Sequence, residues 1–277
     1  MLDNVEHLEN SLIQHGPESD RIYVMKLAKE DRFTLPRKLD ALASEQNYTK
    51  IFAKVPLWAV PSFEGEGYCK EAFIPDFYNG RTGVYFMCKY FDEDRRELSK
   101  EVRAKVKKNL NLAKQADPLD ESLPEGLHMR ELGEEDSSLL TSIYDKVFDH
   151  YPFPIFKENY IRETMNSHIR YFGVFDGDNL VAASSAEMDV EGQNVEMTDF
   201  ATDPDATGQR LALHLLQAME AEMRNIDMKL AFTIARAMSP GMNITFGRNG
   251  YSYGGTLINN TKIASGIESM NVWYKKL

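Results

Sequence analysis

The stretch from Glu187 to Ala212 brings together residue types that could do chemistry. Glu187, Asp189, Glu196 and Asp199 fall in "AEMD" and "VEMTDF", which read as neighbouring strands. Carboxylates grouped this way can take a proton, directly or through water, or hold an ammonium group. Strand alternation assigns Glu196, Thr198 and Phe200 to one face and Met197, Asp199 and Ala201 to the other. It leaves open which face looks into a cleft, and each carboxylate can equally be a solvated strand residue. "TDPDATGQRLALHLLQAMEAEM" follows: a strand end, a sharp turn and an amphipathic helix. A helix N-terminus presents unpaired N–H groups and partial positive charge, enough to hold a pyrophosphate without a lysine. This turn has one glycine, Gly208, so by itself it reads as either a phosphate cradle or a tight corner.

Other chemistries are poorly supported. His7, His15, His128, His150, His168 and His214 form no metal-spaced pair, so a metal-free site is expected. There is no G-x-S-x-G and no GxxxxGK(S/T) loop. The 32 basic and 43 acidic residues leave a net charge of −11. That disfavours nucleic acid, which is bound by phosphate neutralisation, and is compatible with a small cationic substrate. No run is long and apolar enough to span a membrane, and the polar N-terminus is no secretory signal. Two cysteines without ligand spacing suggest a reduced, cytoplasmic protein.

The surrounding elements form two compact regions. In the first, "RIYVMKL" and "TKIFAKVP" read as strands around the helix "LPRKLDALASEQ". "EAFIP" and "GVYFMCKY" read as a hairpin with Asn79-Gly80 near its turn. Residues 92–114 are highly charged and predict an exposed connecting helix, followed by the loop "QADPLDESLPEG". The second region begins at Leu127: a strand, two helices separated by "YPFPIF", three antiparallel strands, the helix after Gly208, the strand "KLAFTIARA", a short helix and two final strands. The prolines of "YPFPIF" cannot sit in a helix interior. Ser239 is the expected N-cap of the short helix, with Pro240 in its first turn and Gly250 at its end.

"FEGEGYCKEAFIP" echoes "FGRNGYSYGGTLIN", and the elements before each run in the same order. The first region therefore reads as a partial repeat of the second, without a glycine turn after its first strand.

This element order, with "TDPDATGQRLA" and "SPGMNITFGRNGY", resembles the GCN5-related N-acetyltransferase (GNAT) family over residues 127–277. The resemblance implies a mixed α/β fold: a GNAT domain at 127–277, a charged helix and linker at 92–126, and a degenerate GNAT-like half domain at 1–91. It also implies acetyl-CoA as cosubstrate. Aligned on Pro204 and Leu215-Leu216, the family's phosphate motif falls on Thr207, Gly208, Gln209, Arg210, Leu211 and Ala212. Thr207 stands where Gln or Arg is usual, and Arg210 where Gly is usual. Arg210 can add a contact to phosphate or obstruct its approach. Phe200, Ala201 and Thr202 match the strand that pairs with the pantetheine arm, where a backbone N–H can stabilise an oxyanion. Ser239, Asn243 and Phe246 complete the expected cosubstrate site. Phe246 replaces the tyrosine that often protonates the departing thiolate, so that role is left unassigned.

Acetylating an amine requires its neutral form, and deprotonating a lysine-like amine at pH 7 costs about 4.6 kcal/mol. By position in the family, Glu196 is the expected base, with Asp199 supporting it or binding a substrate ammonium. "YPFPIF", "AEMDVEGQNVEMTDFAT", "ESMNVWYK" and "KEAFIPDFYNG" resemble a subgroup, the beta-lysine N-acetyltransferases. The resemblance implies a small diamino acid as acceptor, acetylated on its side-chain amine, with Tyr151, Phe153 and Glu187 in the acceptor site. Another small amine, or a module that binds acetyl-CoA without chemistry, stays open, as does the oligomeric state.

Overall fold

The computed structural model describes residues 3–119, 121–263 and 266–277. Its first half opens with strands β1 (Asn4–Leu8), β2 (Ser11–Gly16) and β3 (Arg21–Lys26), followed by helix α1 (Leu35–Gln46). Strand β4 (Lys50–Pro56), helix α2 (Val60–Gly65) and the hairpin β5 (Cys69–Tyr78) and β6 (Thr82–Tyr90) complete it. Helices α3 (Glu93–Arg96) and α4 (Lys100–Lys114) lead to β7 (Leu127–Glu131), α5 (Ser137–Val147) and α6 (Glu158–Met165). Strands β8 (Ile169–Asp176), β9 (Asn179–Asp189) and β10 (Asn194–Thr202) precede α7 (Leu211–Asn225) and β11 (Leu230–Arg236). Helix α8 (Pro240–Arg248) and strands β12 (Ser252–Ile263) and β13 (Gly266–Lys276) close the chain.

All the strands join one mixed sheet in the order β1-β2-β3-β4-β6-β5-β12-β13-β11-β10-β9-β8-β7. The expected mixed α/β class is what is found. The repeat extends into the pairing itself. In the first half β3 runs parallel to β4, β4 pairs antiparallel with β6, and β6 with β5. In the second half β10, β11, β13 and β12 repeat that sequence of pairings. Tyr23 opposite Phe52 thus stands where Glu196 opposite Phe232 stands in the other half. Strands β1 and β2 are absent from the sequence reading. Gln14 and His15 are buried in β2, so its polar letters hide a core strand. His15 hydrogen-bonds Tyr48 at 3.1 Å and Glu6 at 3.1 Å, and Gln14 Nε2 donates to the Pro152 carbonyl at 3.2 Å.

The two halves meet where Gly255 of β12 faces Ala72 of β5. Gly255 has φ +151°, and a Cβ there would lie 2.2 Å from the Glu71 carbonyl oxygen, so only glycine allows the approach. Past this point β12 breaks register with β13 between Leu257 and Thr261. The freed carbonyls accept hydrogen bonds from three buried cations: Ile258 from Lys50 (2.6 Å), Asn259 from Arg95 (2.8 Å) and Asn260 from Arg21 (2.7 Å).

The charged segment at 92–114 departs from expectation twice. It breaks at residues 97–99, where Ser99 caps α4 by accepting from the Val102 amide. Nor is it only an exposed connector, since Val106, Asn109 and Ala113 are buried. At Gly247 of α8 a Cβ would lie 2.0 Å from the Ala113 carbonyl oxygen, so α4 and α8 are in backbone contact.

Candidate active site

Strands β10 and β11 pair only at Asn194–Leu230, Val195–Ala231 and Glu196–Phe232. Beyond Glu196 they separate, leaving backbone edges without a ladder partner. The gap is a cavity of about 280 Å³ walled by Phe200, Ile234, Ser239, Met242 and Phe246. At its outer end Ser239 and Met242 are shared with a groove of about 460 Å³ at the N-terminus of α7, lined by Thr202, Thr207, Gly208, Arg210 and Ala212. At its inner end Tyr151, Thr198 and Asp199 are shared with a smaller cavity of about 110 Å³ that contains Glu187 and Glu196. Groove, gap and inner cavity therefore form one path from the surface to the carboxylates.

The carboxylates do not alternate as expected. The β9–β10 register shifts between Thr198 and Ala201, and Asp199 adopts φ +54°. This bulge turns Asp199 to the side of Glu196 and Thr198, all three lining the inner cavity. Met197 and Ala201, expected on one face, pack instead into different cores, one beneath α7 and one beside α5. Asp199 accepts hydrogen bonds from Tyr151 and Ser185. Burial raises its pKa, and those bonds pull it partly back.

Glu196 lies directly opposite Glu187 across the strand pair. Desolvation in the cavity wall and the negative charges of Glu187 and Asp199 push its pKa up to about 8, against the pull of Lys54. The Lys54 ammonium, from β4, sits 5.7 Å from the Tyr23 ring centre and 5.8 Å from that of Phe232. A carboxyl raised to about 8 in the wall of the inner cavity, two residues from the Thr198 that both cavities share, is suited to proton transfer.

Tyr151 and Phe153 both line the inner cavity. Phe246 lines the gap and stacks edge-on against Phe200 at 5.7 Å. Thr207, Gly208, Arg210 and Ala212 reach the groove, whereas Gln209 is not on its wall. Leu211 also lines the groove while packing into the core beneath α7, and Ala201 is buried in the core beside α5. Arg210 is the N-cap of α7 with φ +57°, the left-handed conformation that favours glycine, and its side chain pairs with Glu121.

Two assignments are corrected. Asn243 is fully buried and spent: its amide donates to the Arg236 and Ser239 carbonyls (2.9 and 2.7 Å), while its oxygen accepts from Asn271 (2.8 Å) and Trp273 (2.9 Å). With both ends engaged it has nothing to offer a ligand; it pins α8 to β11 and β13. Ser239 occupies the N-cap position of α8 but makes no side-chain capping bond; instead it lines the gap and the groove.

Residues 127–277 alone do not close the inner cavity. Gln14, Arg21, Tyr23 and Phe52 of the first half line it, with Asn260 and Thr261 of the bulged β12. The internal echo was the one signal pointing there, because a repeat places equivalent faces across a shared cleft. Among the described residues no group of His, Cys, Asp and Glu is arranged to hold a metal ion.

The profile described as Acetyltransferase (GNAT) family matches residues 137–238. The chain is 39% identical to the beta-lysine N(6)-acetyltransferase of Methanococcus maripaludis, over 99% of each chain. It is 33% identical to N-acetyltransferase YodP of Bacillus subtilis, over 96% of each. It is 32% identical to the beta-lysine N(6)-acetyltransferase of Methanosarcina mazei, over 86% of this chain and 95% of that one.

Proposed function

The chain belongs to the GNAT family of acetyltransferases, and from that premise we propose that it transfers acetyl from acetyl-CoA to the side-chain amine of beta-lysine. The observation that carries this reading is the continuous path from the groove at α7 to Glu196. An elongated thiol-ended nucleotide fits it. The turn at Gly208 (φ +90°) leaves open space where a Cβ would be, so a pyrophosphate can meet backbone N–H groups at the helix start. The unpaired edges of β10 and β11 can bond the pantetheine arm as an added strand. When bound, acetyl-CoA supplies an acetyl group activated as a thioester.

The chain's own residues do the rest. The inner cavity holds the acceptor between Tyr151, Phe153 and the carboxylates. Glu196 takes a proton from the acceptor ammonium, leaving a neutral amine facing the gap. Glu187 and Asp199 supply negative charge for a doubly cationic acceptor. Tyr151, whose hydroxyl donates to Asp199, stands where the two cavities meet and orients that carboxylate. The product expected from beta-lysine is N-epsilon-acetyl-beta-lysine, a zwitterionic compatible solute, which places the enzyme in adaptation to salt. Free Cys69 and Cys88 accord with a reducing, cytoplasmic setting, and among the described residues no helix is long and apolar enough to cross a membrane.

The first test is thiol release from acetyl-CoA with purified protein, comparing beta-lysine, lysine, ornithine and spermidine. Highest kcat/KM for beta-lysine is expected. Preference for another amine would replace the acceptor, and acetyl-CoA binding without release on any amine would remove the enzymatic reading.

A further inference from the structure

The inner cavity carries, besides the carboxylates, a cluster of polar groups that proton transfer does not use. Arg21, Gln14 and Asn260 are buried at 5%, 1% and 1% exposure, and all three line the cavity. One edge of the Arg21 guanidinium is committed: Nη1 donates to the Asn260 carbonyl at 2.7 Å and to Thr261 Oγ1 at 2.8 Å. Its Nε has no partner, and neither do Gln14 Oε1 and Asn260 Oδ1. Among the described residues no carboxylate lies within ion-pair distance of Arg21; Asp3 is the carboxylate whose charge it feels most. Tyr23 and Phe52 flank it, each ring centre 5.5 Å from Cζ. Burial lowers its pKa to about 10, so the group stays charged at neutral pH.

A buried cation and unpaired polar atoms are each costly. A ligand that completes them recovers that cost. A cation with its Nε donor spare, beside two spare acceptors, matches the head of an amino acid, a carboxylate beside an ammonium. We propose that Arg21, with Gln14 and Asn260, forms the head-group site for the acceptor, Arg21 holding its carboxylate while the reacting amine lies at Glu196. This deepens the function proposed above and rests on it. It gives the first half of the chain a task in selection: amino acids are accepted and simple polyamines rejected, because a polyamine would set an ammonium against Arg21.

The test compares beta-lysine with beta-lysine carboxamide, which keeps both amines and removes the anionic charge, at saturating acetyl-CoA. Wild type is expected to favour the acid on the order of 100-fold in kcat/KM. Arg21→Gln should lower kcat/KM for the acid by a similar factor, mostly through KM, and change the carboxamide only a few-fold. Arg21→Lys should recover part of the preference. Equal loss on both substrates with Arg21→Gln, or a wild type indifferent to the carboxylate, would overturn the Arg21 assignment and leave the acetyltransferase reading intact. If Arg21→Gln does not fold, the wild-type ratio and Arg21→Lys decide. Turnover by wild type of spermidine but of no amino acid would overturn the acceptor reading and this proposal with it.

Discussion

Glu196 shows how one residue's role depends on its surroundings. An ordinary glutamate is ionised at neutral pH, but this one is raised to about 8 by desolvation and by Glu187 opposite. Its basic form therefore accumulates as pH rises, and kcat/KM should climb through about pH 8. Glu196→Gln should cut kcat by roughly 10²–10⁴-fold and abolish that limb, as pH–rate profiles would record; a limb that survives would assign it to another group. The same shift makes a stability prediction. A carboxyl with a raised folded pKa ionises more readily in the unfolded chain, so its stabilising contribution is complete below about pH 4.5 and is lost as pH rises through about 8. Thermal melts of Glu196→Gln should accordingly gain on wild type across that window.

At the scale of the element, the turn into α7 and the bulge in β10 illustrate why spacing alone was an incomplete guide. The sequence motif placed Thr207, Gly208, Arg210 and Ala212 at the groove, but it did not indicate that Arg210 would hold a left-handed backbone. That conformation explains why glycine is the easier residue there, at a cost to others of about 1–2 kcal/mol. Arg210→Gly should thus leave stability unchanged or raise it by about 1 kcal/mol, because the half-exposed pair with Glu121 contributes little. If the arginine also touches phosphate, the variant's Kd for acetyl-CoA should rise several-fold by calorimetry; an unchanged Kd would restrict Arg210 to pairing with Glu121. In β10, one extra residue reversed the alternation and brought Asp199 beside Glu196. The one local hint in "VEMTDFAT" is Asp199 itself, a residue type disfavoured in strands and tolerant of positive φ.

For the whole molecule, the decisive feature is the seam at Gly255 and Ala72, which sets two similar half-sheets around one cavity. Lys50 and Arg21 tie the first half to the bulged β12, with Arg95 of α3 beside them, and Asn260 and Thr261 of β12 then face the acceptor space. Gly255→Val would drive a side chain into Glu71 and Ala72. We expect a Tm lower by several degrees and a sharp rise in KM for the amine. The acetyl-CoA Kd should change little, because groove and gap belong to the second half. Equal loss of amine and acetyl-CoA binding would show that the seam supports both sites.

The sequence by itself determined the order of the elements from β3 onward, the turn that opens α7, the identity of the carboxylates and the existence of a repeat. These are local matters of hydrophobic period, caps, turns and residue type, and they are read within a dozen residues. Only the tertiary structure decided that Asp199 joins Glu196, that Asn243 is an internal pin, and that Arg21 reaches the cavity from more than 160 residues away in the chain. Each of those depends on where two distant segments meet. A buried polar residue such as Gln14 or Arg21 looks, as a letter, like any surface residue until the fold supplies its neighbours.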